Sequence, residues 1–258
     1  MRPHDHMGWA ISGAGEFPVL AALFLAEGAA LSERLIYVAE DPDPADVARL
    51  DDVTDQDALQ VMSTAEVYGS VGIVDPARQR ETFASLLTEA LAAGFTGIRV
   101  AADNTPLVIG EERLRAWTSW EVVADRFIAE NQVTGLCAFD QDRVDISRLR
   151  HLATLHPLSS ASSPVPQFRL FSDAGALRVE GQLDSVAVTQ LWLALDNLPP
   201  ETGVVIDLES ATVRGALTGL GQLCDSGVDV TIRGDRAAIG ELTRSAGVLA
   251  DRVVFEEA

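Results

Sequence analysis

Asp75-Pro-Ala-Arg-Gln-Arg-Glu-Thr-Phe-Ala-Ser-Leu-Leu-Thr-Glu-Ala-Leu-Ala-Ala-Gly-Phe-Thr-Gly-Ile-Arg-Val-Ala101 contains a capped helix and the strand that follows it. Asp75 can cap the helix, Pro76 suits its first turn, and Gly94 fits the position just past its end. Between them Phe83, Leu86, Leu87, Ala90 and Leu91 recur on one helical face, which predicts a helix over Ala77–Ala93. Gly97-Ile-Arg-Val-Ala101 is short and apolar without alternation, the pattern of a strand covered on both faces.

The same unit recurs on either side. Met7–Ser12, Leu35–Ala39 and Gly135–Phe139 read as strands, and Glu16–Ala30 and Glu111–Glu130 as helices. Pro18-Val-Leu-Ala-Ala-Leu-Phe-Leu-Ala26 has no polar face, so its helix should be buried on most sides. Helices alternating with short apolar strands predict a mainly parallel α/β sheet in three layers. Leu158-Ser-Ser-Ala-Ser-Ser-Pro-Val-Pro166 interrupts the pattern, giving a first domain over 1–158, a Ser/Pro linker over 159–166 and a second domain over 167–258. The second domain reads as strands at Phe168–Phe171, Leu177–Glu180, Val204–Leu208, Val228–Ile232 and Val253–Phe255. Helices at Val186–Leu195, Gly215–Cys224 and Arg236–Ala246 complete a small α/β domain.

The 258 residues carry a formal charge of −20. A phosphate footprint needs clustered Lys and Arg, so nucleic acid and anionic membrane are poor partners for this chain. No segment approaches the length of an apolar membrane span, and residues 1–6 lack a signal-peptide core, so a cytoplasmic location is expected. Cys137 and Cys224 sit in apolar stretches of different domains, as reduced core thiols would.

Ligands of open α/β sheets bind beyond the carboxyl ends of the strands. Those ends carry Ser12, Glu40, Asp103, Asn104 and Asp140, which form a candidate polar rim. Ser12-Gly-Ala-Gly-Glu16 stands where a phosphate loop would, but it lacks the Lys-Ser/Thr pair and brings Glu16 to the helix entry. Trp117 and Trp120 fall on one helix beside Glu121, as core packing or as the wall of a small-molecule pocket. His4 and His6, two apart on a strand, could face one metal ion but so near the terminus read as solvated histidines. His151 and His156 have no cysteine at zinc spacing, and no zinc spacing pattern, cofactor motif or nucleophile elbow is found.

Residues 5–158 resemble the MEDS sensory domain. The resemblance is carried by Asp5-His6-Met7, Phe24-Leu-Ala-Glu-Gly28, Arg34-Leu-Ile-Tyr-Val38, Gly94-Phe-Thr-Gly-Ile-Arg99, Trp120-Glu121, Leu136-Cys-Ala-Phe-Asp140 and Leu155-His-Pro157. It implies a degenerate RecA/P-loop-like fold that senses a small organic ligand, with His6, Trp120 and Glu121 as candidate ligand residues.

Residues 166–258 resemble a STAS domain, as in anti-sigma-factor antagonists. The matching pieces are Leu177-Arg-Val-Glu-Gly-Gln-Leu-Asp184, Val204-Val-Ile-Asp-Leu208 and Gly219-Leu-Gly221. That family places a phosphoacceptor Ser or Thr at a helix start, whereas this chain has Thr212-Val-Arg-Gly-Ala-Leu-Thr-Gly219. The resemblance implies docking to an anti-sigma factor or kinase-like regulator, with Asp184, Thr212, Arg214, Gly215 and Thr218 as candidate contacts. Together the two halves point to a non-enzymatic signalling protein. The alternatives are a nucleotide-binding or hydrolysing enzyme using the acidic rim, and a self-associating scaffold such as a homodimer.

Overall fold

The computed structural model describes residues 4–13, 15–51, 57–70, 72–195, 204–213, 230–237, 239–240 and 253–257. The first unit runs β1 (His6–Ile11), α1 (Glu16–Ala29), β2 (Arg34–Ala39), α2 (Pro44–Asp51), β3 (Leu59–Ser63), α3 (Thr64–Tyr68) and α4 (Pro76–Ala92). It continues through β4 (Ile98–Asp103), α5 (Glu111–Glu130), β5 (Val133–Asp140), α6 (Ile146–Thr154) and β6 (Leu158–Ser159). The strands form one sheet in the order β3-β2-β4-β5-β1-β6, and every pairing is parallel.

Alternation along each strand divides the core. Leu35 and Tyr37 pack with Phe17 and Leu25 of α1, while Ile36 and Val38 pack with Phe83 of α4 and Trp117 of α5. Successive side chains of a strand point to opposite faces, so a parallel strand needs apolar residues at both parities. The α4 caps match the sequence reading. Asp75 accepts from the Arg78 amide at 3.0 Å, Pro76 opens the helix, and Gly94 has φ +91°.

One buried cation breaks the apolar rule. Arg99 of β4 points toward α1 with no exposed surface, and its Nε donates to Glu33 at 2.6 Å. Its guanidinium also lies 4.8 Å from the Phe24 ring centroid and 3.4 Å from Glu27. Gly28 leaves the space, since a Cβ there would stand 2.6 Å from Arg99 Cδ.

A second buried group gives a pH prediction. His151 of α6 shares a 2.8 Å hydrogen bond with Thr118, and burial pushes its pKa down to about 4. The unfolded chain therefore takes up this proton below about pH 6.5, while the folded chain resists until about pH 4. Stability falls with acidification across that window. Relative to a His151→Gln variant, the wild type should lose about 2 kcal/mol between pH 7.5 and pH 5 in urea unfolding. An equal loss in both proteins would refute the assignment.

The second unit holds β7 (Phe168–Asp173), β8 (Ala176–Leu183), α7 (Ser185–Leu195), β9 (Val204–Asp207), β10 (Ala211–Val213), β11 (Val230–Gly234) and β12 (Val253–Glu257). Its sheet runs β10-β8-β9-β11-β12, with β7 antiparallel on β8 and the other pairings parallel. Ala174 and Gly175 turn the β7–β8 hairpin, both at positive φ, as a two-residue hairpin loop requires.

The Ser-rich run expected as an extended linker lies along the edge of β1. The Ser160 amide donates to Gly8 O at 3.2 Å, Ser162 Oγ to Ala10 O at 2.9 Å, and the Ala10 amide to Ser163 Oγ at 3.1 Å. Its hydroxyls satisfy strand groups that β6 is too short to reach. Helix α5 serves both units, because Trp117 and Trp120 pack in the first core while Val122 packs in the second.

Candidate sensory site

The register of β1 and β5 builds the site. His6 pairs with Gly135, and Gly8 with Cys137. These four positions share one parity, so His6 and Cys137 face the same side of the sheet, toward α5. The two glycines leave the room. A Cβ on Gly8 would meet the His156 ring at 2.9 Å, and one on Gly135 would meet His6 Cδ2 at 3.4 Å. His156 follows α6 and lies above Gly8, its ring centroid 4.4 Å from that of His6. From α5, Glu121 and Asp125 reach the group one turn apart.

His6 Nδ1 donates to Asp125 Oδ1 at 3.0 Å, and His156 Nδ1 donates to Leu152 O at 2.8 Å. His6 Nδ1 faces a carboxylate and His156 Nδ1 a backbone carbonyl, so each Nδ1 carries the hydrogen and, in the neutral ring, Nε2 presents the lone pair. Both Nε2 atoms face the Glu121 carboxylate, and His6 Nε2 also faces the Cys137 sulfur. His6 Nε2 is 3.4 Å from Glu121 Oε2 and 3.6 Å from Cys137 Sγ, and His156 Nε2 is 3.6 Å from Glu121 Oε2.

Burial governs the protonation of the group. Glu121 is fully buried, and desolvation pushes its pKa up to about 7, with His6 offsetting part of the rise. Trp117 Nε1 approaches Glu121 without reaching hydrogen-bond geometry, and both carboxylate oxygens and His156 Nε2 lack a hydrogen-bond partner. Burial also pushes the Cys137 thiol well up and the His156 imidazole well down. Burial alone would lower the His6 pKa too, but the Asp125 hydrogen bond and the two carboxylates outweigh it and raise it.

Beside these groups is an apolar cavity of about 40 Å³, walled by Tyr68, Phe83, Trp120, Ala102 and Ala124. Trp120 stacks on Phe83 with centroids 5.7 Å apart. The cavity has room for a few heavy atoms.

Of the residues singled out in the sequence, the structure brings His6, Trp120 and Glu121 together here. Asn104 is buried behind them, close enough for its side chain to lower the Cys137 pKa somewhat. Ser12, Glu40, Asp103 and Asp140 gather at the strand ends instead. There the Ser12 amide donates to Glu16, the Gly13 amide donates to Asp140 at 3.2 Å, and Arg143 pairs with Glu40 at 3.4 Å. The loop amides that would cradle a phosphate thus already face the chain's own carboxylates. Burial raises the Asp103 pKa, although its hydrogen bonds from Thr105 work against the rise.

Sequence reasoning missed three members. Cys137 was expected as a core thiol, His156 as a histidine without a cysteine partner, and Asp125 drew no attention. The structure corrects the reading of His156, whose ring shares the Glu121 oxygen with His6 opposite Cys137.

In the second unit, Asp184 caps α7, accepting from the Val186 and Ala187 amides at 2.9 and 3.0 Å. Those bonds, the one from Ala187 first, hold its carboxyl below the usual range. Thr212 is exposed on β10. Arg214, Gly215, Thr218 and Cys224 lie outside the described residues.

Two links connect the site to the second unit. Asp125, the acceptor of His6, also accepts from the Ser172 amide of β7 through Oδ2. Arg169 of β7 donates to His156 O at 3.0 Å, Pro157 O at 3.2 Å and Ser159 Oγ at 3.0 Å. Among the described residues, no helix is long and apolar enough to cross a membrane.

No curated protein matches the chain. The family model for MEDS, the methanogen/methylotroph DcmR sensory domain, matches residues 5–157, more than half of the chain and the whole of the site just described. The chain belongs to the MEDS family of sensory domains.

Proposed function

We propose that the protein is a non-enzymatic signalling protein of the cytoplasm. Its buried site receives a small organic molecule, and its second unit passes the state of that site to a protein partner. The observation that carries this reading is the shared carboxylate of Asp125, which holds His6 on one side and the Ser172 amide on the other. A ligand that shifts His6 must also reset Asp125, and with it the β7 edge of the second sheet. Arg169 gives the same strand a hold on the backbone of His156.

The cavity sets the ligand class. Aromatic and aliphatic walls around one carboxylate, one thiol and an imidazole pair suit a compact molecule with an apolar body and one polar end. The occupied amides of Ser12 and Gly13 favour this reading over nucleotide binding at the strand ends.

The second unit is read as STAS-like on its Leu177–Asp184 and Val204–Leu208 motifs, with a mixed sheet and helix α7 in keeping. Its partner would be an anti-sigma factor or a related regulator. The stretch 212–219 lacks the Asp-Ser-Ser/Thr-Gly pattern of a phosphoacceptor, so control by the first unit replaces control by phosphorylation.

The test is a thermal-shift series of short alcohols, thiols and carboxylic acids on the full chain and on Ala102→Leu, whose added carbons fill the cavity. A ligand that binds only the folded state raises the melting temperature. The expected result is a rise for compact members in the wild type that disappears in Ala102→Leu. A rise of equal size in both proteins, or none in either, would count against the cavity as the receptor.

A further inference from the structure

We infer that His6, His156, Cys137 and Glu121 form a binding site for one divalent transition metal ion of the zinc class. The inference shares the sensory site of the preceding reading, but its test needs neither the organic ligand nor a partner. A chain that binds no metal would sink the metal site and leave the cavity standing.

The geometry is the first argument. The four ligand atoms, two imidazole Nε2, one Sγ and one carboxylate oxygen, lie within 4.8 Å of one another. A tetrahedral zinc ion, with bonds of about 2.0–2.1 Å to N and O and about 2.3 Å to S, sets N···O separations near 3.4 Å and N···S near 3.6 Å. The observed 3.4 and 3.6 Å from the histidines to Glu121, and 3.6 Å from His6 to Cys137, already fit. The wider pairs close on binding.

The second argument is the state of the donors. Glu121 Oε1 and Oε2 and His156 Nε2 are buried without hydrogen-bond partners, and leaving such groups unpaired costs stability. A cation at their centre satisfies them. Both histidines have Nδ1 engaged by an acceptor, which fixes Nε2 as the coordinating atom; His6 uses a carboxylate for this, the usual outer partner of a zinc-bound imidazole. Sulfur, two imidazoles and one carboxylate select a borderline ion such as Zn²⁺ over Mg²⁺ or Ca²⁺.

Charge balance is the third. The metal–sulfur bond forms as Cys137 gives its proton to solvent, and Glu121 binds as the carboxylate. The divalent ion, the thiolate and the Glu121 carboxylate then cancel among the ligand atoms, with the Asp125 carboxylate outside them on His6 Nδ1. No electron moves and the ion stays divalent.

The experiment uses the untagged full chain, stripped with chelator and titrated with Co²⁺ and then Zn²⁺. We expect one ion per chain, with tetrahedral ligand-field bands and a thiolate-to-cobalt charge-transfer band that Zn²⁺ abolishes. Cys137→Ser should lose the charge-transfer band. Asp125→Asn keeps every ligand atom and should weaken binding by about 10- to 100-fold. His4→Ala should bind as the wild type does, since His4 lies apart against Asn131 O. Circular dichroism on each variant separates lost binding from lost fold. The inference is overturned if the folded wild type takes up no stoichiometric metal, if Cys137→Ser keeps the charge-transfer band, or if His4→Ala abolishes binding.

Discussion

Arg99→Met should destabilise the protein by about 3–5 kcal/mol, because it leaves the Glu33 carboxylate buried without its partner. Glu33 is 5 % exposed and Arg99 is wholly buried, so water cannot take over the lost contact. The second partner, Glu27, is more than half exposed and contributes little. The Phe24 ring loses its cation as well. In a domain of this size the loss corresponds to a melting-temperature drop of roughly 10 °C. Adding Glu33→Met to Arg99→Met should recover most of it, since both charges are then gone and a pair of apolar side chains fills the volume. Urea unfolding of the two single variants and the double variant measures the effect. If Arg99→Met alone costs under 1 kcal/mol, the buried pair is not a structural support.

Much of the fold was legible in the sequence. Continuous apolar runs such as Leu35-Ile-Tyr-Val-Ala39 and Gly135-Leu-Cys-Ala-Phe139 mark buried parallel strands, and Asp75, Pro76 and Gly94 punctuate α4 as read. What escaped lies at the edges. Leu59-Gln-Val-Met-Ser63 pairs on one side only and is half-buried throughout, so no apolar run announces it. Helix α3 is only five residues long, yet Ser63 and Glu66 form a capping box whose spacing is visible in the sequence. Strand β6 is two residues long, and the serines that follow it continue its place along β1 by bonding Gly8 and Ala10.

The site was half legible for a related reason. His6, Trp120 and Glu121 stood out as polar or aromatic residues at strand and helix positions. Cys137 did not, because metal-ligand patterns are sought over short spacings, and 131 residues separate His6 from Cys137. Only the pairing of β1 with β5 brings them onto one face. The available signal was Gly8 and Gly135, two glycines inside strands whose missing side chains mark a close approach. Asp125 was hidden by its place one turn after Glu121, where it reads as an ordinary helical carboxylate.

Asp125→Ala is the second substitution with a large expected effect. It removes the acceptor of both the His6 Nδ1 proton and the Ser172 amide. Each donor left unpaired away from water costs about 1–3 kcal/mol, so the variant should lose about 2–6 kcal/mol in urea unfolding, less where water reaches the half-buried Ser172 amide. Asp125→Asn keeps one acceptor oxygen and should recover part of the loss. A cost below 1 kcal/mol for Asp125→Ala would mean that neither bond supports the fold.

One carboxylate, that of Asp125, bonds to both the MEDS site and the second sheet. Amide hydrogen exchange on Asp125→Ala measures whether that bond couples the two, because local opening is read strand by strand. Exchange should quicken together in His6–Ile11 and Phe168–Asp173, with Val230–Gly234 unchanged. Faster exchange confined to one of the first two strands would contradict that coupling.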